Sequence, residues 1–154
     1  MRTVGEDFCC CRYERVILTA KHHDGFCLWP TGLTEYCIRN TPYKDGKGDI
    51  VRELSEACKK YGIKFAVYLS PWDRHQANYG SPEYVEYFYK QLNELLTNYG
   101  DVFEIWFDGA NGGRRLVWRS KRQPYESTAK LYYNYPRAYK MIDELQPQVC
   151  YLRG

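Results

Sequence analysis

The chain has 154 residues, with 22 Lys and Arg against 19 Asp and Glu for a net charge of +3; it is 44% hydrophobic and 27% charged, the proportions of one modest globular domain. These figures exclude a multidomain machine, a disordered tail and a collagen-like repeat. No stretch approaches the ~20 apolar residues of a membrane-spanning helix, and residues 1–14 carry no apolar signal-type core, so a soluble protein with no membrane partner is expected.

In chain order, residues 1–14 form an atypical segment with a Cys9-Cys10-Cys11 run, set apart from residues 15–154. A strand is expected over residues 16–21. After a long loop over 22–48, Asp49 is a plausible N-cap for a helix whose face carries Val51, Leu54, Ala57, Cys58 and Tyr61, with Gly62 as its stop. A second strand follows over 63–70 and a loop over 71–80. Ser81 as N-cap and Pro82 at the first helical position then open a helix through Tyr84, Val85, Phe88, Leu92, Leu95 and Leu96, ending at Gly100. A third strand over 102–107, a loop over 108–135, a helix from near Pro136 that Pro147 halts, and a strand over 148–152 complete the pattern.

Strands alternating with helices imply an α/β fold with a parallel sheet joined by crossovers. Helix-to-strand turns are very short and strand-to-helix loops long, which is the asymmetry of a (β/α)8 TIM-type barrel, although a doubly wound sheet also gathers its loops on that side. Four parallel strands and three helices amount to about half of the ~250 residues such a barrel takes, so the expectation is a partial barrel over residues 15–154.

The seven cysteines contain no C-x-x-C spacing, which argues against zinc and against a disulfide framework and for packed, reduced thiols. Sixteen tyrosines and four tryptophans are more informative, because amphipathic rings stack on flat apolar faces such as the C–H face of a sugar.

Three clusters end on one rim. In Val102-Phe103-Glu104-Ile105-Trp106-Phe107-Asp108-Gly109, period two places Glu104, Trp106 and Asp108 on one face and the apolar residues on the other. Asp108, at the C-terminal end of its strand, is a catalytic candidate. In Ala20-Lys21-His22-His23-Asp24-Gly25-Phe26 an extended backbone would make the two imidazoles diverge, with His22 and Asp24 sharing a face. That is a poor arrangement for one metal and a usable one for hydrogen bonds to a polyhydroxylated ligand. In Tyr68-Leu69-Ser70-Pro71-Trp72-Asp73-Arg74-His75, Tyr68 and Ser70 share one face while Phe65, Val67 and Leu69 form the other. The basic stretch Arg114, Arg115, Arg119, Lys121 and Arg122 reads as a solvated loop, not a nucleic-acid site, at so small an overall charge.

Lys21-His22-His23-Asp24-Gly25-Phe26 with Leu28-Trp29, then Val67-Tyr68-Leu69-Ser70-Pro71-Trp72, then Trp106-Phe107-Asp108-Gly109 resemble, in order and spacing, the α-L-fucosidases of glycoside hydrolase family 29. The resemblance covers about residues 15–147. It implies a retaining exo-glycosidase on a (β/α)8 barrel that acts on a fucosylated glycan or oligosaccharide without metal or organic cofactor. It also implies Asp108 as nucleophile, His22 and His23 as ligands of the fucose hydroxyls, and Tyr68 and Trp106 as pocket lining. Residues 1–14 and 150–154 depart from the family pattern and read as truncation or sequence error. The family's acid/base carboxylate falls beyond Gly154, so the chain alone is expected to be inactive, with its outer strands, 16–21 and 148–152, open to self-association. Two rival readings are a metal-assisted TIM-barrel hydrolase using His22 and Asp24, and a non-catalytic half-barrel or sugar-binding remnant.

Overall fold

A computed structural model of the protein describes residues 14–107 and 133–151. Asp108, the Cys9-Cys10-Cys11 run and the basic stretch 114–122 lie outside the described residues. Four strands, β1 (Arg15–Lys21), β2 (Lys64–Leu69), β3 (Glu104–Trp106) and β4 (Cys150–Tyr151), alternate with three helices, α1 (Ile50–Tyr61), α2 (Pro82–Asn98) and α3 (Tyr135–Leu145). The strands pair in parallel in the order β1-β2-β3-β4. A sequential order is that of a barrel sector; a doubly wound sheet reverses direction at a switch point.

The helix ends follow local chemistry. Asp49 caps α1 by accepting from the Arg52 N–H at 2.9 Å, and Gly62, at φ +68°, takes the left-handed conformation that ends it. Pro82 opens α2; Ser81 holds the N-cap position with extended backbone, but its hydroxyl makes no capping bond. Pro136 sits in the first turn of α3. Val51 and Cys58 of α1, Phe88, Leu92 and Leu95 of α2, and Ala138 and Ile142 of α3 bury against Phe65, Val67, Leu69 and Ile105 of the sheet.

β3 and β4 begin two residues later than the sequence pattern predicts. The Val102 N–H is taken by the Gln146 side chain at 2.8 Å, and the Val149 N–H closes a turn on the Gln146 carbonyl at 3.0 Å. Leu145, the last residue of α3, is 40% exposed. In the loop between β1 and α1, Trp29 Nε1 and the Thr31 hydroxyl both donate to Glu94 Oε2, at 2.8 and 2.6 Å, which seats the loop on α2.

Candidate functional site

The site begins with a register fault. Thr19 pairs with Tyr68, and Lys21 pairs with Leu69, so Ala20 is an extra residue in β1. Without that bulge, alternation would group Lys21 with Ile17 and Thr19, on the Tyr68 face. The bulge instead puts Lys21 in the row of Phe65, Val67 and Leu69, facing the helices, and returns His22 to the Tyr68 face. Lys21 is accordingly fully buried, with Nζ 2.8 Å from Gln91 Oε1 of α2 and 3.3 Å from Asp73 Oδ2, over the rings of Tyr84 and Tyr87. Burial holds the Lys21 pKa below the ordinary lysine value, against the opposing pull of Asp73.

Asp73 shapes the loop after β2, and its neighbour Arg74 ties that loop to the one after β1. Its Oδ1 accepts from the N–H groups of His75 and Gln76, both at 3.0 Å, while the Arg74 N–H donates to the His23 carbonyl at 2.9 Å. Gly25 completes the joint: at φ +87°, a Cβ there would lie 2.3 Å from Asp73 Oδ1. The Gly25 N–H also closes a turn on the His22 carbonyl at 3.0 Å.

That turn corrects the extended-backbone expectation for the two histidines. The chain folds back after His22, so the imidazoles converge, with ring centroids 4.1 Å apart. From there the rings run in a row. Trp72 lies 5.0 Å from His23, Tyr68 5.9 Å from His22, and Trp106 5.4 Å from Tyr68 in an edge-on arrangement. The row crosses the C-terminal ends of β1, β2 and β3. Tyr68 is buried, whereas His22 is exposed and Trp106 is 45% exposed, a large apolar ring turned toward open space. His23 Nδ1 lies 2.7 Å from Ser70 Oγ. A second stack stands nearby on the rim, where Tyr36 and His75 lie 4.2 Å apart.

The structure thus brings His22, His23, Tyr68 and Trp106 together. Asp108 follows Phe107 and lies outside the described residues. Asp24 does not join them in a ligand set: it is exposed, with Oδ1 accepting from the Phe26 N–H at 3.4 Å, and among the described residues no three His, Cys, Asp or Glu gather to hold a metal ion. Lys21, Ser70, Trp72 and Asp73 build the site, although reading the residues assigned them no role. The one available signal was a lysine closing an otherwise apolar strand. Flat rings beside imidazole donors and acceptors suit a ligand with a C–H face and several hydroxyls.

The comparisons with known proteins agree with that chemistry. The alpha-L-fucosidase family profile matches residues 11–150. The chain is 43% identical over 137 residues to alpha-L-fucosidase 1 of Arabidopsis thaliana, covering 88% of this chain and 24% of that protein. It is 55% identical over 101 residues to putative alpha-L-fucosidase 1 of Oryza sativa subsp. japonica, covering 65% and 20%. A crystal structure of a glycoside hydrolase 29 family member from an unknown rumen bacterium superimposes with a TM-score of 0.78 at 55% identity, covering 90% of this chain and 25% of that one. The chain therefore spans between a fifth and a quarter of the length of these relatives.

Proposed function

Since the chain belongs to the alpha-L-fucosidase family, we propose that its ring row is one wall of the fucose pocket of a retaining exo-glycosidase that releases α-L-fucose from glycoconjugates. The observation that carries this reading is the juxtaposition of His23, His22, Tyr68 and Trp106 across the ends of three adjacent strands, where a barrel builds its site. In this reading Trp106 and Tyr68 face the apolar side of the sugar, and His22 and His23 hydrogen-bond its hydroxyls.

Asp108, two residues beyond Trp106, attacks the anomeric carbon. A glycosyl-enzyme ester forms as the aglycone oxygen leaves with a proton from a second carboxylate, and water activated by that same carboxylate then releases fucose with its anomeric configuration retained. The second group belongs ~5–5.5 Å from the nucleophile. The described rim supplies no candidate for it. Asp73 is buried against Lys21, Asp24 is exposed beside the Phe26 N–H, and Glu104 lies two residues below Trp106 on β3. Both chemical steps are carboxylate chemistry and call for no metal or organic cofactor.

The test is Asp108→Gly in an enzyme carrying this segment, assayed on an aryl α-L-fucoside. Turnover should fall by orders of magnitude, and azide should restore part of it by standing in for the missing carboxylate. Unchanged turnover rejects Asp108.

A further inference from the structure

The inference rests on the fucose reading of the ring row and concerns the second stack on the rim. Tyr36, in the loop after β1, lies 4.2 Å from His75, in the loop after β2, with the two rings 21° from parallel. Phe26 stands edge-on to Tyr36 at 5.1 Å. Both members of the stack are exposed, Tyr36 at 38%. Among the described residues the Tyr36 hydroxyl and the His75 ring nitrogens make no hydrogen bond, and neither ring touches a ring of the row.

The backbone beneath these rings is fixed. The Tyr36 carbonyl accepts from the Cys27 N–H at 3.2 Å, and the Ile38 N–H donates to the Cys27 carbonyl at 2.9 Å. The His75 N–H donates to Asp73 Oδ1 at 3.0 Å, and the neighbouring Arg74 N–H to the His23 carbonyl at 2.9 Å. The turn from His22 to Gly25 keeps its end Cα atoms within about 7 Å, and a Cβ on Gly25 would lie 2.9 Å from His75 Cβ. The stack therefore stands beside the histidine pair, outside the row and within reach of a sugar next to the one on the row.

An exo-enzyme encloses the terminal fucose, so what a neighbouring ring stack touches belongs to the rest of the glycan. Rings with polar atoms at their edges suit a second pyranose, whose C–H face packs on the stack while its hydroxyls meet the Tyr36 hydroxyl and the His75 imidazole. Because the backbone is already held, little freedom is lost on binding. We propose that the Tyr36–His75 stack is a second sugar subsite, which holds a unit of the glycan other than the fucose that is cleaved and so selects among fucosylated substrates.

The test uses an enzyme carrying this segment and two kinds of substrate. One is α-L-fucosyl fluoride, which has no second sugar. The other is the fastest-cleaved member of a panel of fucosylated di- and trisaccharides. Tyr36→Ala and His75→Ala should each lower kcat/KM on the oligosaccharide about tenfold more than on the fluoride, the worth of one stacked ring with its hydrogen bond. Tyr36→Phe, which keeps the ring and loses only the hydroxyl, should lower that ratio less than Tyr36→Ala. An equal fall on both substrates overturns the proposal, since a loosened rim harms the fluoride as much as the glycan. So does a ratio that neither alanine variant moves, or a parent enzyme that cleaves the fluoride and no member of the panel. A parent enzyme that cleaves neither kind of substrate defeats the fucose reading itself, and the subsite with it.

Discussion

The two ends of the sheet are fastened by the same device and used differently. At the N-terminal edge, Gln146 accepts from the Val102 N–H and donates to the carbonyls of Leu96 and Gly100, tying the end of α2, the approach to β3 and the end of α3 into one joint. Each polar atom of that amide meets backbone, and Oε1 accepts from Gln148 Nε2 at 3.1 Å as well. At the C-terminal rim, Asp73 joins the end of β1 to the loop after β2: its partners are Lys21, inverted into the helix layer by the bulge at Ala20, and the N–H groups of His75 and Gln76, while the neighbouring Arg74 N–H donates to the His23 carbonyl. One joint closes short turns and ends there. The other also aims side chains, which fits the division of a barrel into a stabilising face and a functional one.

The sharpest way to break this contrast is Asp73→Ala. It strands the Lys21 ammonium in the interior without its carboxylate, at a cost of about 4 kcal/mol, measurable as a drop in unfolding midpoint, and it frees the loop after β2, so the fucose binding proposed above should be lost in the fraction still folded. Replacing the pair together, Lys21→Met with Asp73→Leu, should recover most of the stability without recovering binding, because the N–H groups of His75 and Gln76 lose their acceptor. Gln146→Leu, at the other end, takes away a partner of one N–H and two carbonyls for about 3 kcal/mol, yet the proposed fucose binding should persist in the folded fraction. Gly25→Ala is expected to cost about 2 kcal/mol through its left-handed backbone and crowding against Asp73, and to weaken binding as well, since the displaced carboxylate belongs to the rim.

Elements whose ends are written in local chemistry were legible in advance: Asp49 and Gly62 bound α1, Pro82 and Pro136 open α2 and α3, and the parallel sequential sheet follows from the alternation they punctuate. Tyr68 and Trp106 obey plain alternation and were legible too. What was not legible depends on contacts between distant segments. The bulge at Ala20 reverses the parity of Lys21 and His22, and no propensity marks it, since its reward is a carboxylate 52 residues away. The convergence of His22 and His23 depends on a turn stabilised by Gly25 beneath that same carboxylate. β3 and β4 start late because the Gln146 side chain takes the Val102 N–H and the Gln146 carbonyl takes the Val149 N–H.

The smallest effect expected leaves stability nearly untouched and reads the two ends by their thiols. Cys27 and Cys37, in the loop after β1, are buried, whereas Cys150, at the start of β4, is exposed. Burial pushes the Cys27 thiol up to about 12, with Lys21 opposing and Asp73 reinforcing. At pH 8 only about one Cys27 in ten thousand is then thiolate, the form that alkylates. Brief iodoacetamide treatment followed by peptide mass mapping should therefore find Cys150 modified and Cys27 intact. The sign for stability follows from the same shift: a thiol whose folded value is raised contributes fully below its ordinary value of 9.0, and that contribution is lost as pH climbs toward about 12. Asp73→Ala should make Cys27 react in the native state, because it both loosens the loop and removes a negative neighbour that holds the thiol protonated. Gln146→Leu should modify Cys27 only in proportion to the unfolded fraction. Equal Cys27 labelling in these two variants at matched stability would mean that Asp73 acts as a general fastener, and the distinction between the two ends would fail.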